Sequence, residues 1–140
     1  MTQYTTIQMN ITLLLLLGLL IGCGGSDGTL SGSVSLDGEA VPEGSIAFIP
    51  AAGTKGPSIG GGIRKGKYHI PAENGFAAGS YRVEIRWPRE AGEVELYPGS
   101  MGQRFEEAIP AKYNTQSTLE VQIDSQGDTT DFELSTSGGK

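Results

Sequence analysis

Between Ser80 and Trp87 the chain alternates without a break: Tyr81, Val83, Ile85 and Trp87 fall on one face of an extended segment, and Arg82, Glu84 and Arg86 on the other. Successive side chains of a strand point to opposite faces, so burying the first set leaves every charge in water. A slip of one residue would bury all three charges instead. The pattern commits this stretch to β-structure with one face packed on a core. Weaker copies of it recur along the chain. Leu30, Val34 and Leu36 stand against Ser31, Ser33 and Ser35; Leu119, Val121 and Ile123 against Glu120 and Gln122; Phe132 and Leu134 against Asp131 and Glu133. Lys67 to Ile70 reads the same way, Ser45 to Ile49 is an apolar run ended by Pro50, and a weak strand is expected around Ile63.

Turn chemistry separates these runs. Asp37-Gly38 predicts a tight turn, Asn74-Gly75 and Ala78-Gly79 mark a connection, and Ser125 to Asp128 turns between the last two strands. The 22 glycines and 7% aromatic content suit a turn-rich β protein. About seven short strands separated by turns predict an all-β, antiparallel Greek-key β-sandwich over 30–135, followed by a polar tail, 136–140. Segment 88–117 has no clear period and is expected to be long and irregular, with one helical turn around Arg104 to Ala108. Such a long connection in a compact domain is either functional or a surface insertion. It is the first candidate for a binding surface, with Tyr97, Arg104 and Tyr113 as contact residues.

Upstream of the domain, Ile11 to Ile21 is almost entirely leucine and isoleucine and carries no charge. That length fits an exported leader, here a signal-peptide helix over 1–22, and is short for a spanning helix, which takes roughly 20 apolar residues. Leu20-Ile21-Gly22-Cys23 resembles the bacterial lipobox. The resemblance implies cleavage between Gly22 and Cys23, a diacylglyceryl group on the Cys23 sulfur and an acylated (palmitate-type) amino terminus. Two or three chains, at about 0.8 kcal/mol per buried methylene, would hold the protein to a membrane permanently. Met1 to Asn10 lacks the usual basic residues, and a plain secretory signal or an uncleaved anchor are the competing readings. Cys23 is the only cysteine, so no internal disulfide forms and lipidation gives the thiol a use. Residues 23–29 would then be the lipidated cysteine and a glycine-rich tether. No aspartate follows Cys23, which by resemblance to lipoprotein sorting favours the outer membrane over the inner one on the periplasmic or outer face of a bacterial envelope.

A second resemblance covers roughly Leu30 to Leu134. Gly32-Ser33-Val34, Leu36-Asp37-Gly38, Val41-Pro42 and Gly44 to Pro50, then Gly66 to Pro71 and Gly79 to Val83, resemble small exported domains of the carboxypeptidase regulatory-like, transthyretin-like kind. Ile109 to Asn114 looks like a segment common in their short lipoprotein members. The resemblance implies a Greek-key sandwich and, for most members, no known activity. A transthyretin-related hydrolase relies on several histidines and a Tyr-Arg-Gly-Ser ending; this chain has His69 alone and ends Ser137-Gly138-Gly139-Lys140.

The residues themselves argue against catalysis. One histidine and one cysteine make a poor zinc set, and His69 alternates away from the apolar face as a surface residue. Gly61 and Gly66-Lys67 nearly spell a phosphate-binding loop, but Tyr68 stands where Ser or Thr is required and a strand follows in place of a helix. Glu93 with Glu95, or Glu106 with Glu107, are carboxylate pairs in sequence, which says nothing about the spacing that glycoside hydrolysis needs. Every charged residue lies after Cys23, with a net charge of −6, which disfavours a nucleic-acid partner. The expectation is therefore a monomeric, non-enzymatic module without metal or cofactor. It would be held to the membrane by Cys23 and act as an interaction or structural module, with an envelope protein as its partner. A polysaccharide is the alternative ligand, for which Tyr97 and Tyr113 would supply stacking faces.

Overall fold

The computed structural model describes residues 28–71, 73, 75–124 and 127–137. The leader, Gly22, Cys23 and most of the tether lie outside the described residues. Eleven strands follow in order: β1 (Thr29–Leu36), β2 (Glu39–Ala40), β3 (Glu43–Pro50), β4 (Ile59–Arg64), β5 (Lys67–Pro71), β6 (Gly79–Arg86), β7 (Pro88–Tyr97), β8 (Ser100–Glu107), β9 (Glu120–Ile123), β10 (Gly127–Thr129) and β11 (Phe132–Leu134). No α-helix occurs among the described residues; one 3-10 turn spans Ala111–Tyr113. The molecule is all-β, a curled sheet resembling a half-barrel with a separate two-stranded hairpin.

The main sheet runs β10-β1-β5-β4-β3-β6-β9, with β2 and β11 pairing the second half of β1. Its pairs are antiparallel except that β10 and β11 run parallel to β1. Curling is forced by chain length. β9 is one edge and β10 the other, yet only residues 124–126 join Ile123 to Gly127. Seven strands laid flat would put those edges about 29 Å apart, whereas this join reaches about 14 Å at most. Both edges must therefore approach each other, and the Gly127 N–H donates back to the Asp124 carbonyl at 3.1 Å.

The predicted faces are observed. Tyr81, Val83 and Ile85 are wholly buried inside the curl, while Trp87 is half-buried against the same core. Leu30, Val34, Ile46, Ile63, Ile70 and Ile123 join them. Phe48, Tyr68 and Phe132 form a ring cluster with centroids 5.9 to 6.4 Å apart. Burial pushes the Tyr68 hydroxyl above the ordinary phenol range, and it donates to the Thr130 carbonyl at 2.8 Å. That carbonyl passes directly over Gly32, where a Cβ would lie 1.9 Å from it. Two-residue turns at Asp37-Gly38 (φ 51° and 83°) and Lys65-Gly66 (φ 51° and 74°) have both central residues at positive φ, the geometry that matches strand twist.

Segment 88–117 is the main departure from the sequence reading. It is largely the β7–β8 hairpin, and the expected helical turn at Arg104 to Ala108 is strand through Glu107, with the 3-10 turn three residues beyond. Alternation marks strands with one buried face. Here neither face is buried, so no period is left to read. Pro98-Gly99, the turn at the tip with Gly99 at φ 83°, is the signal that would have found it.

Candidate functional site

Among the described residues every buried side-chain nitrogen and oxygen has a hydrogen-bond partner, so the interior offers no waiting polar group. Contact with another molecule falls to the outside. The exposed large apolar side chains are Val94, Leu96, Tyr97, Met101 and Phe105, between 40% and 72% accessible, and all five lie on the β7–β8 hairpin. Elsewhere among the described residues the same residue types are buried or half-buried.

Tertiary bonds fix the root of the hairpin. The Ala108 N–H donates to the Trp87 carbonyl at 3.0 Å, and Glu107 Oε1 accepts from the N–H groups of Trp87 (2.8 Å) and Ile109 (3.0 Å). Trp87 and the buried Ile109 plug into the core on either side. Beyond the root the strands are exposed along nearly their whole length. Register shifts fall between Glu90 and Glu93 and between Glu95 and Tyr97. At the first, Gly92 takes φ 96°, and Arg104 closes over the bulge by donating from Nε and Nη2 to the Ala91 carbonyl at 3.2 and 3.0 Å. At the tip the Gly99 N–H donates to Glu95 Oε1 at 2.9 Å.

The pairing sorts the side chains onto two faces. Glu90 lies opposite Phe105, Glu93 opposite Gln103 and Glu95 opposite Met101, so one face combines two large apolar groups with a row of carboxylates. On the other face Val94 lies opposite Gly102, whose missing side chain leaves room for the Leu96 side chain. Five acids and two arginines make the hairpin a concentrated negative element.

The three predicted contact residues meet different fates. Tyr97 is at the tip and 72% exposed. Arg104 is on the hairpin, but its guanidinium is engaged by the bulge and stands 3.4 Å from Glu106. Tyr113 belongs to the body: half-buried on the core, its hydroxyl accepts from the Ser135 N–H at 3.2 Å, and Lys112 Nζ sits 4.8 Å from its ring centre. Its neighbour Asn114 is buried and donates through Nδ2 to the carbonyls of Ile109 (2.9 Å) and Pro110 (3.3 Å). Tyr97 and Tyr113 are thus separated by the length of the hairpin and form no common stacking strip. Sequence reading missed Leu96, Met101 and Phe105, which in a chain without period look like any loop residues.

Glu93 and Glu95 lie side by side on one exposed strand face, and Glu107, which lines a shallow pocket beside Arg86 and Asn114, has its Oε1 occupied by the two N–H groups of the root. Among the described residues no group of three His, Cys, Asp or Glu side chains converges as metal ligands would. His69 is on the exposed face of β5. No helix among the described residues is long and apolar enough to cross a membrane, while Gly22 and Cys23 lie outside them. Comparison with known proteins found no protein-family model that matches the chain and no curated protein that matches it.

Proposed function

We propose that this is a lipid-anchored, non-enzymatic protein of a bacterial cell envelope, which binds a protein partner through the β7–β8 hairpin. The observation that carries the reading is that, among the described residues, all five exposed large apolar side chains gather on one hairpin. The cores of protein interfaces are enriched in aromatic residues and methionine, which Tyr97, Phe105 and Met101 supply here. The carboxylates of Glu90, Glu93 and Glu95 beside Met101 and Phe105 call for a partner whose apolar surface is rimmed by basic residues.

Placement along the sheet agrees with an anchor at Cys23. Thr29 pairs with Pro71, and Gly79 with Ile123, at one end of the sheet; Arg64, Lys67 and Arg86 lie at the other. The chain enters at the first end, and the hairpin leaves from the second. Five residues separate Cys23 from Thr29, at most about 21 Å of chain, and the eight residues of β6 add about 26 Å before the hairpin begins. A lipid on Cys23 would leave the apolar hairpin on the side away from the anchoring membrane.

We read the sheet as a curled form of the Greek-key sandwich of carboxypeptidase regulatory-like domains. Supporting this, β3 to β6 lie in the order β6-β3-β4-β5, in which the fourth strand returns beside the first. A stacking-type sugar site is less well supported, since Tyr113 is engaged in the body.

A photo-crosslinker placed at Tyr97 in the native envelope tests the reading. It is expected to trap one partner, identifiable by mass spectrometry as bearing a basic, apolar surface, and the yield should fall several-fold when Glu93 and Glu95 are both changed to Lys. Intact mass should show acyl chains on a protein lacking 22 residues, lost in Cys23→Ser. Crosslinking indifferent to the charge reversal, or an unlipidated membrane fraction, would overturn it.

A further inference from the structure

The outer face of the curled sheet carries a second surface, remote in character from the hairpin. β4 reads Ile59-Gly60-Gly61-Gly62-Ile63-Arg64, and its outward positions before Arg64 are Gly60 and Gly62, which leave bare backbone between β3 and β5. A groove of about 920 Å³ opens there over β1, β4 and β5. Small hydroxyl residues line it, Ser31, Ser33 and Thr129, along with Arg64, Lys67, His69 and one carboxylate, Asp131. No large exposed apolar side chain is among them.

Its charges are arranged unlike those of β6, two strands away. On β6, Glu84 sits between Arg82 and Arg86 and pairs with both, at 2.7 and 3.4 Å. At the groove Arg64 and Lys67 lie directly opposite each other across β4 and β5, two like charges in the pairing position where repulsion is greatest. Among the described residues neither forms a direct ion pair, although the Lys67 charge helps hold the Asp131 carboxyl low. Glu43, the neighbour of Arg64 on β3, does not bridge to it, and Asp131 uses Oδ1 to accept from the N–H (2.7 Å) and hydroxyl (2.8 Å) of Ser33. Ser33 in turn pairs with Lys67, and Ser31 with His69, so hydroxyls alternate with nitrogen donors across adjacent strands. The result is a groove whose two unpaired cations outnumber its one carboxylate, Asp131, on a chain of net charge −6.

We propose that this groove binds an acidic polysaccharide, its carboxylate or sulfate groups seated between Arg64 and Lys67 and its hydroxyls on Ser31, Ser33, Thr129 and His69. An oxyanion between the two cations converts their repulsion into two charge-assisted hydrogen bonds. The absence of an apolar anchor disfavours a peptide, and a polyhydroxylated chain matches a lining of hydroxyls and open backbone. Arg64 and Lys67 stand at the end of the sheet away from Thr29, which favours a polymer over the headgroups of a membrane that holds the chain by its amino-terminal side. This site is independent of the hairpin and of its partner.

The test uses the full-length protein in mild detergent, titrated by calorimetry with polygalacturonate, dextran sulfate and neutral dextran, and with phosphatidylglycerol vesicles as competitor. Binding of one or both acidic polymers is expected, with polygalacturonate and dextran sulfate separating carboxylate from sulfate preference. Arg64→Ala and Lys67→Ala should each weaken it about tenfold, the loss of one charge-assisted hydrogen bond. Lys67→Arg should retain binding, which guards against a folding defect, and Arg82→Ala on the balanced β6 ladder should leave it unchanged. Equal affinity for neutral dextran, no binding of either acidic polymer, affinity unaltered in Arg64→Ala and Lys67→Ala, or vesicles that outcompete the polymers would each overturn the proposal.

Discussion

The curled sheet and the β7–β8 hairpin are both made of antiparallel strands of similar length, yet they face water in opposite ways. In β6 every second side chain is buried and every charge is outside. In β7 and β8 both faces are wet, and apolar and charged residues mix on each. The sheet is held by side chains from strands far apart in sequence, the hairpin by its own ladder and a bonded root. A two-stranded ribbon alone in water is marginally stable, so the root of Trp87, Glu107 and Ile109 is what keeps it on the molecule. Stability resides in one region and availability for contact in the other.

Removing a core ring should separate the two most sharply. Phe48→Ala takes away the centre of the Phe48, Tyr68 and Phe132 cluster and is expected to destabilise the protein by about 3–5 kcal/mol in urea unfolding. A loss under about 1 kcal/mol, little more than a single buried methylene contributes, would mean that the curl does not rest on this cluster.

Acid comes next in size, acting on the seam that joins the last strands to β1. The Ser33 hydroxyl and N–H hold the Asp131 carboxyl below its ordinary value of 3.8, and the hydroxyl and N–H of Thr136 do the same for Asp37. With the folded pKa below the unfolded one, the contribution is complete above the ordinary carboxylate range and lost as pH falls through the lowered folded value. The urea midpoint of the wild-type protein should therefore drop below pH 4 more than that of Asp131→Asn, which lacks this titration. Parallel pH profiles for the two proteins would show that the seam carries no such linkage.

The smallest effect is expected on the hairpin. Phe105→Ala should change stability by no more than about 0.5 kcal/mol, as for surface positions generally, and amides of β7 and β8 should exchange hydrogen faster than those of β3 and β6. A core-sized loss would show that Phe105 is covered in solution and erase the contrast between the regions.

How much was legible follows from the same contrast. Ser80 to Trp87 announced its buried face because one side of it is wet and the other dry. Asp37-Gly38 announced its turn because few dipeptides accept two positive φ values. Pro88 to Glu107 was opaque because exposure on both sides imposes no pattern, and Arg104 looked like a free contact residue until the bulge carbonyl of Ala91 came within reach. The groove was hidden for another reason: Arg64 and Lys67 could be read as the solvated end of a hairpin, but their neighbours Ser31, Ser33 and Thr129 come from elements dozens of residues away.

From the residues alone came the β class, the inward and outward sides of the alternating strands, the Asp37-Gly38 turn and the place of a lone cysteine just after an apolar run, since each depends on neighbours within a few positions. Tertiary structure decided the order of strands, the parallel seam of β10 and β11 on β1, the curl demanded by the short join after Ile123, and the exposure of the hairpin. Those depend on which distant segments meet, as Ser33 meets Asp131 across 98 positions, and local sequence periodicity carries no record of that choice.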